Sequence, residues 1–181
     1  LVTSSRWEDV NPVTTVYKLD VYTGVKTQVT VAPIQDAWLV TDERGDVRIA
    51  AGRDDKLKPR YFQREPTGYW QELKTLSSLT QGSEPVGYVA REKTLYVVEP
   101  DGKGFAVVAV ATDTGARKVL SRQDMVEPSR FVADLATGRI VAVEWDPDVP
   151  VTDAIDPDHP ASRILRALEA TYLDDRVEVV S

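Results

Sequence analysis

The chain contains no cysteine, which excludes disulfides, thiolate nucleophiles and cysteine-held metals together. Histidine occurs once, at His159, so a histidine-rich metal site within one copy is impossible. No apolar run approaches the roughly 18 residues that a membrane-spanning helix requires. Positive charge is scarce: 22 Lys and Arg stand against 29 Asp and Glu, for a net charge of −7. It is also scattered, since Arg53, Lys56, Lys58 and Arg60 share their stretch with Asp54 and Asp55. Nucleic acids and anionic membrane surfaces both require clustered Lys and Arg, so neither is expected as a partner. The chain starts at Leu1 with no charged-then-apolar leader, which reads as an excised piece or a processed product. The compartment stays open, with cytoplasm and periplasm both compatible.

What is present is a chain of 181 residues, 42% hydrophobic and 28% charged. That composition predicts a soluble globular chain able to bury a real core. A repeat then organises it. Thr-Gly occurs at Thr23-Gly24, Thr67-Gly68 and Thr114-Gly115, with glycine spacings of 44 and 47. Before each lies a strand-like run ("VYKLDV", "RYFQRE", "FAVVAVA"), and after each a second one ("KTQVTV", "YWQEL", "RKVL"). Two β runs across a glycine turn predict a hairpin. A second hairpin phrase interleaves: "WLVTDERGDVRIAAG", "GYVAREKTLYVVE" and "RFVADLATGRIVAVEW". The last of these carries a fourth Thr-Gly, Thr137-Gly138, out of step with the other three.

Each period therefore predicts four short strands in two hairpins, the pattern of a β-propeller blade. The expectation is an all-β fold, a partial β-propeller of four-stranded antiparallel blades forming one domain over residues 1–181. Residues 1–32 would form a partial blade, 36–79 and 84–122 complete blades, and 127–181 a partial blade. A sandwich or barrel with evenly spaced strands is the competing architecture. The tail adds one helix at about 160–172, entered at Pro160, with Ile164, Leu168 and Tyr172 on one face beside Leu165. A last β run, residues 176–181, follows. The helix is expected to cover an edge or a gap.

Chemistry is harder to find. None of the nine serines has glycine two positions before it, so no nucleophile elbow is present. His159, between Asp158 and Pro160, reads as a helix-entry residue rather than a catalytic base. Asp146, Asp148, Asp153, Asp156 and Asp158 form the strongest acidic cluster, but their spacing does not match a calcium loop. Asp146-Pro147 and Asp156-Pro157 are ordinary turn pairs. Any of 29 acids can be paired on paper for glycosidase chemistry, which singles out none. Among the tryptophans, Trp38 and Trp145 are expected in the core and Trp70 partly exposed, while Trp7 stays unassigned. No catalytic, cofactor-binding or metal-binding residue is predicted.

The phrases "VYKLDVYTG", "WLVTDERGDVRIA", "YWQEL", "EPVGYVAREKTLYVV" and "RIVAVEW" resemble the N-terminal propeller of the prolyl oligopeptidase family. The acylaminoacyl-peptidase and dipeptidyl-aminopeptidase branch is the most similar. The tail "RILRALEATYLDDRVEVVS" resembles that family's late-propeller segment. The resemblance implies a serine peptidase parent whose C-terminal α/β-hydrolase domain carries the chemistry. This chain would be its non-catalytic propeller, about three to four of seven or eight blades, which caps the active site and filters peptides. It implies the hydrolase domain as a partner. Uncovered blade faces add an expectation of self-association, as a dimer burying those faces. The alternative is a stand-alone module that binds a protein or peptide, with no enzymatic role.

Overall fold

The computed structural model describes residues 1–4, 12–145 and 151–172. Its strands form four antiparallel sheets that follow one another along the chain. The first sheet holds β1 (Val2–Ser4), β2 (Thr15–Leu19) and β3 (Lys26–Val31). The second holds β4 (Trp38–Thr41), β5 (Val47–Arg53), β6 (Pro59–Arg64) and β7 (Trp70–Glu72). The third holds β8 (Glu84–Val89), β9 (Thr94–Asp101), β10 (Gly104–Ala111) and β11 (Arg117–Asp124). The fourth holds β12 (Pro128–Ala133), β13 (Ile140–Trp145) and β14 (Val151–Ala154). Within every sheet the strands pair in chain order, as successive hairpins require. Helix α1 (Pro160–Thr171) follows. The expected final β run at 176–181 lies outside the described residues.

The three Thr-Gly phrases stand at the β2–β3, β6–β7 and β10–β11 turns, with Gly24, Gly68 and Gly115 all at positive φ. Gly115 is constrained twice. Its φ is +73°, and a Cβ there would lie 2.8 Å from the carbonyl oxygen of Thr75, in the Lys74–Leu76 turn that follows β7. That approach is what lets the Thr75 hydroxyl donate to the Thr112 carbonyl at 2.6 Å. Any side chain at 115 would push the β10–β11 turn away from the Lys74–Leu76 turn.

Packing explains why the central strands read as unbroken apolar runs. Side chains alternate between faces along a strand. On β9, Leu95 and Val97 join a core shared with Val40, Ile49 and Tyr61 of the second sheet. The intervening Tyr96 joins Val143 and Trp145 of the fourth. On β10, Val108 and Val110 face the second sheet while Val107 faces the fourth. The third sheet is thus buried on both faces, and a strand apolar on both faces shows no period-2 signal.

The seam between the first and second sheets is more polar. Trp70 donates its indole N–H to the Val31 carbonyl at 2.9 Å and to the Thr30 hydroxyl at 3.1 Å. Arg64 donates to the Val29 carbonyl at 3.0 Å. At the other end, α1 lies against β13, where Leu165 is buried and the Ser162 hydroxyl donates to the Val141 carbonyl. The Thr152 hydroxyl also donates to the Glu169 carboxylate. The helix contact face is rotated from the expected one, because Ile164 and Tyr172 are 56% and 51% exposed. Small Ser162 allows close approach to β13, which sets the contact on the 162–165 side and leaves the Ile164 stripe turned outward.

The tryptophans divide. Trp145 is fully buried, and its indole N–H donates to Ser121 at 3.0 Å. Trp38, expected in the core, is 54% exposed. It opens β4 opposite buried Ala51 and faces an open cavity that it lines with Leu57 and Pro85, so half of its surface stays uncovered. Trp7 lies outside the described residues. Trp145→Ala should lower unfolding free energy by about 3–5 kcal/mol, read from urea denaturation. Trp38→Ala should cost well under half as much, and equal losses would contradict this placement.

Candidate functional site

The acidic residues come first, since the sequence offered more of them than any other reactive type. Several of those with partners are bound into turns. Asp42 is buried, and its carboxylate accepts from the backbone N–H groups of Arg44 and Asp46 and from the Arg48 guanidinium at 2.8 Å. Asp20 holds the β2–β3 turn by accepting from the N–H groups of Tyr22 and Thr23. Asp134 does the same at the β12–β13 turn through Ala136 N–H and the Thr137 hydroxyl. In both, the Gly N–H closes onto the Asp carbonyl, Gly24 to Asp20 and Gly138 to Asp134. The shared spelling Asp-x-x-Thr-Gly is therefore a turn whose acid is part of the mechanism.

The described members of the acidic tail cluster each have separate partners. Asp153 accepts from the Ser121 hydroxyl at 2.5 Å, Asp156 accepts from the backbone of Asp158, and Asp158 pairs with Arg163. Asp146 and Asp148 lie outside the described residues. Among the described residues no group of three His, Asp or Glu side chains could hold a metal ion. His159 caps α1: its Nδ1 accepts from the Ala161 N–H at 3.2 Å, and its Nε2 lies 3.7 Å from Asp134. Among the described residues no serine hydroxyl bonds to it, so the His–carboxylate pair serves the helix entrance.

Successive sheets are tied through their first hairpins. The Glu43 carboxylate accepts from the Ala90 N–H, and Glu92 takes the Arg139 Nε at 2.8 and 2.9 Å. A Cβ on Gly138 would stand 3.0 Å from that of Glu43, so the turns of the second and fourth sheets meet over the third. The first hairpins converge at one end.

The opposite end of the second sheet carries a cavity of about 520 Å³. Trp38, Leu57, Tyr61 and Pro85 supply its apolar walls, and Asp36, Asp55 and Glu84 line it with carboxylates. Its floor depends on Gly52, where a Cβ would lie 2.7 Å from Ile34 Cγ2 and 3.1 Å from the Gln35 carbonyl oxygen. Only glycine lets the 32–37 connection lie so close to β5. Asp36 and Leu57 hold φ values of 46° and 61°, the left-handed region that non-glycine residues rarely enter. Tyr61 donates to the Ser83 carbonyl. Burial, aided by the Glu99 charge, pushes its phenol up to about 12, so it stays a neutral donor. Asp54 is committed to its own hairpin, accepting from Lys56 and Lys58 N–H and pairing with Arg60. A second cavity of about 370 Å³ lies on the other side of that hairpin and shares Gln35, Arg53, Asp54 and Asp55. Sequence reasoning missed the main cavity, because Trp38 looked like core and the Asp55 region like ordinary solvated charge. The doublet Asp54-Asp55 ahead of an apolar Leu57 at a hairpin tip was the available signal.

Consecutive antiparallel sheets of three or four strands packed face to face, with first hairpins converging, define a β-propeller-like architecture. The chain is structurally similar to TolB from Acinetobacter baumannii, with a TM-score of 0.55 and 15% sequence identity. That likeness covers 85% of this chain and 38% of the TolB chain, and at such identity it concerns the fold. No family model matches the chain, and no curated protein matches it.

The turn acids carry a pH dependence. Burial works to raise the Asp42 carboxyl, but the hydrogen bonds from Arg48, Asp46 and Arg44 outweigh it, so it sits below its ordinary value of 3.8. A depressed folded value means that this stabilisation is complete above 3.8 and disappears as pH falls through the lower folded value. Asp42→Asn should flatten that acid limb and lower neutral-pH stability by about 1–3 kcal/mol. Urea titrations across pH 2–7 measure both, and an unchanged acid limb would count against the assignment.

Proposed function

We propose that this chain is the non-catalytic propeller section of a larger serine peptidase of the prolyl oligopeptidase type. In that protein it caps the active site and filters peptide substrates. The observation that carries this reading is the agreement between the blade phrases and the propeller-like succession of antiparallel sheets. His159 is engaged as a helix cap, and Asp20, Asp42 and Asp134 are bound into turns. Residues 1–181 act as one domain in this reading, and its covalent partner is a C-terminal α/β-hydrolase domain. The reading frame beyond Ser181 tests it. A continuation holding Gly-x-Ser-x-Gly, then Asp and His, supports it, and a stop codon soon after Ser181 refutes it. The isolated chain should hydrolyse neither peptide nor ester substrates, and measurable turnover by purified protein would overturn the non-catalytic assignment.

A second reading, a stand-alone binding module, draws on the exposed indole of Trp38 beside a roomy cavity. In either reading the isolated chain self-associates. The fourth sheet carries α1 against β13. On the first sheet the register places Val2, Tyr17, Leu19 and Val31 on the side opposite buried Val16 and Thr30. Self-pairing through this open face of the first sheet gives an isologous dimer rather than an open-ended array. Equilibrium sedimentation at micromolar concentration should therefore show a dimer, and a stable monomer would refute it.

A further inference from the structure

We infer that the cavity beside Trp38 is a binding site for a guanidinium cation, and this holds under either reading above because this chain alone builds it. Three observations converge. The first is an aromatic surface left uncovered: Trp38 stands 54% exposed at the start of β4, although the chain buries Trp145 completely. The second is uncommitted negative charge around that surface. Asp36, Asp55 and Glu84 line the cavity, and their carboxylates make no hydrogen bond or ion pair among the described residues. Arg53 is the one basic side chain lining it, and it leaves the balance negative. The third is local backbone in unfavourable conformations. Asp36 and Leu57 hold left-handed φ values at the cavity wall, conformations that cost energy and are retained at sites that use them.

The chemistry of those walls selects the ligand. A cation is attracted to the face of an indole ring and more strongly when water is excluded. Leu57 and Pro85 supply apolar surface next to Trp38, which suits a weakly hydrated cation. A guanidinium is planar, so it can stack on the indole while its in-plane N–H groups reach carboxylates at the rim. A lysine-type ammonium is a strongly hydrated point charge and uses only the carboxylates. An anion or a neutral sugar would leave the three carboxylates without a counterpart. The volume of about 520 Å³ accommodates a side chain of arginine size with adjoining backbone. The cation belongs either to a free small molecule or to an arginine side chain of a peptide.

Nuclear magnetic resonance titration of the 15N-labelled full chain tests this. The signals followed are the Trp38 indole N–H and the amides of Gly52 and Gly82. N-acetyl-arginine amide should shift all three, and the neutral isostere N-acetyl-citrulline amide should leave them in place. Trp38→Leu, which keeps the wall apolar but removes the ring, should weaken arginine binding about tenfold. Asp55→Asn with Glu84→Gln should weaken it comparably while leaving the folded spectrum intact. A capped Ala-Ala-Arg-Ala-Ala peptide separates the sources: much tighter binding assigns the cation to a peptide, and equal binding to a free small molecule. Equal shifts from the citrulline compound, no shifts from either, or unchanged affinity in folded Trp38→Leu would each overturn the inference.

Discussion

The two-sided burial of the β8–β11 sheet is the contact on which the rest depends. Leu95, Val97, Val108 and Val110 face one neighbouring sheet, while Tyr96 and Val107 face the other. Each apolar side chain of this kind contributes about 1.5–3 kcal/mol when removed from water. An isolated antiparallel sheet of this sort would have no way to hide both faces. Stacking is therefore a condition of stability, and the Thr75–Thr112 bond and the Gly115 approach set how close the stack can come.

Charge plays a supporting part at the ends of the strands. The chain is acidic, yet much of its acidity is spent locally: Asp20, Asp42, Asp54 and Asp134 each satisfy backbone N–H groups at a turn. Glu43 and Glu92 join consecutive first hairpins. These carboxylates hold turns at defined angles, which keeps the hairpins converging at one end. At the opposite end Asp54 tightens only the β5–β6 turn, and the cavity beside Trp38 opens next to it. Site and scaffold thus divide between the two ends of the same strands.

The peptidase reading and the cation site answer different questions. The first concerns what the chain is part of, and it draws on blade phrases spread over almost the whole length. The second concerns what one corner of the second sheet can hold, and it depends on a ring, three carboxylates and a hairpin tip.

The hairpins were legible because each is a local event: a strand run, a positive-φ glycine and a second run determine it within about fifteen residues. The four-sheet propeller followed from their regular spacing, and His159 at the helix entrance followed from the Pro160 behind it. Sequence alone therefore determined the strands, the turns and the all-β class. Only tertiary structure decided which apolar residues the stack covers. Trp38 and Trp145 both open or close strands of similar character, but one lies inside the stack and the other borders an open cavity. The same holds for α1, where Ser162 rather than the Ile164 stripe sets the contact face. Burial of that kind is a property of neighbours distant in the chain, and no local pattern carries it.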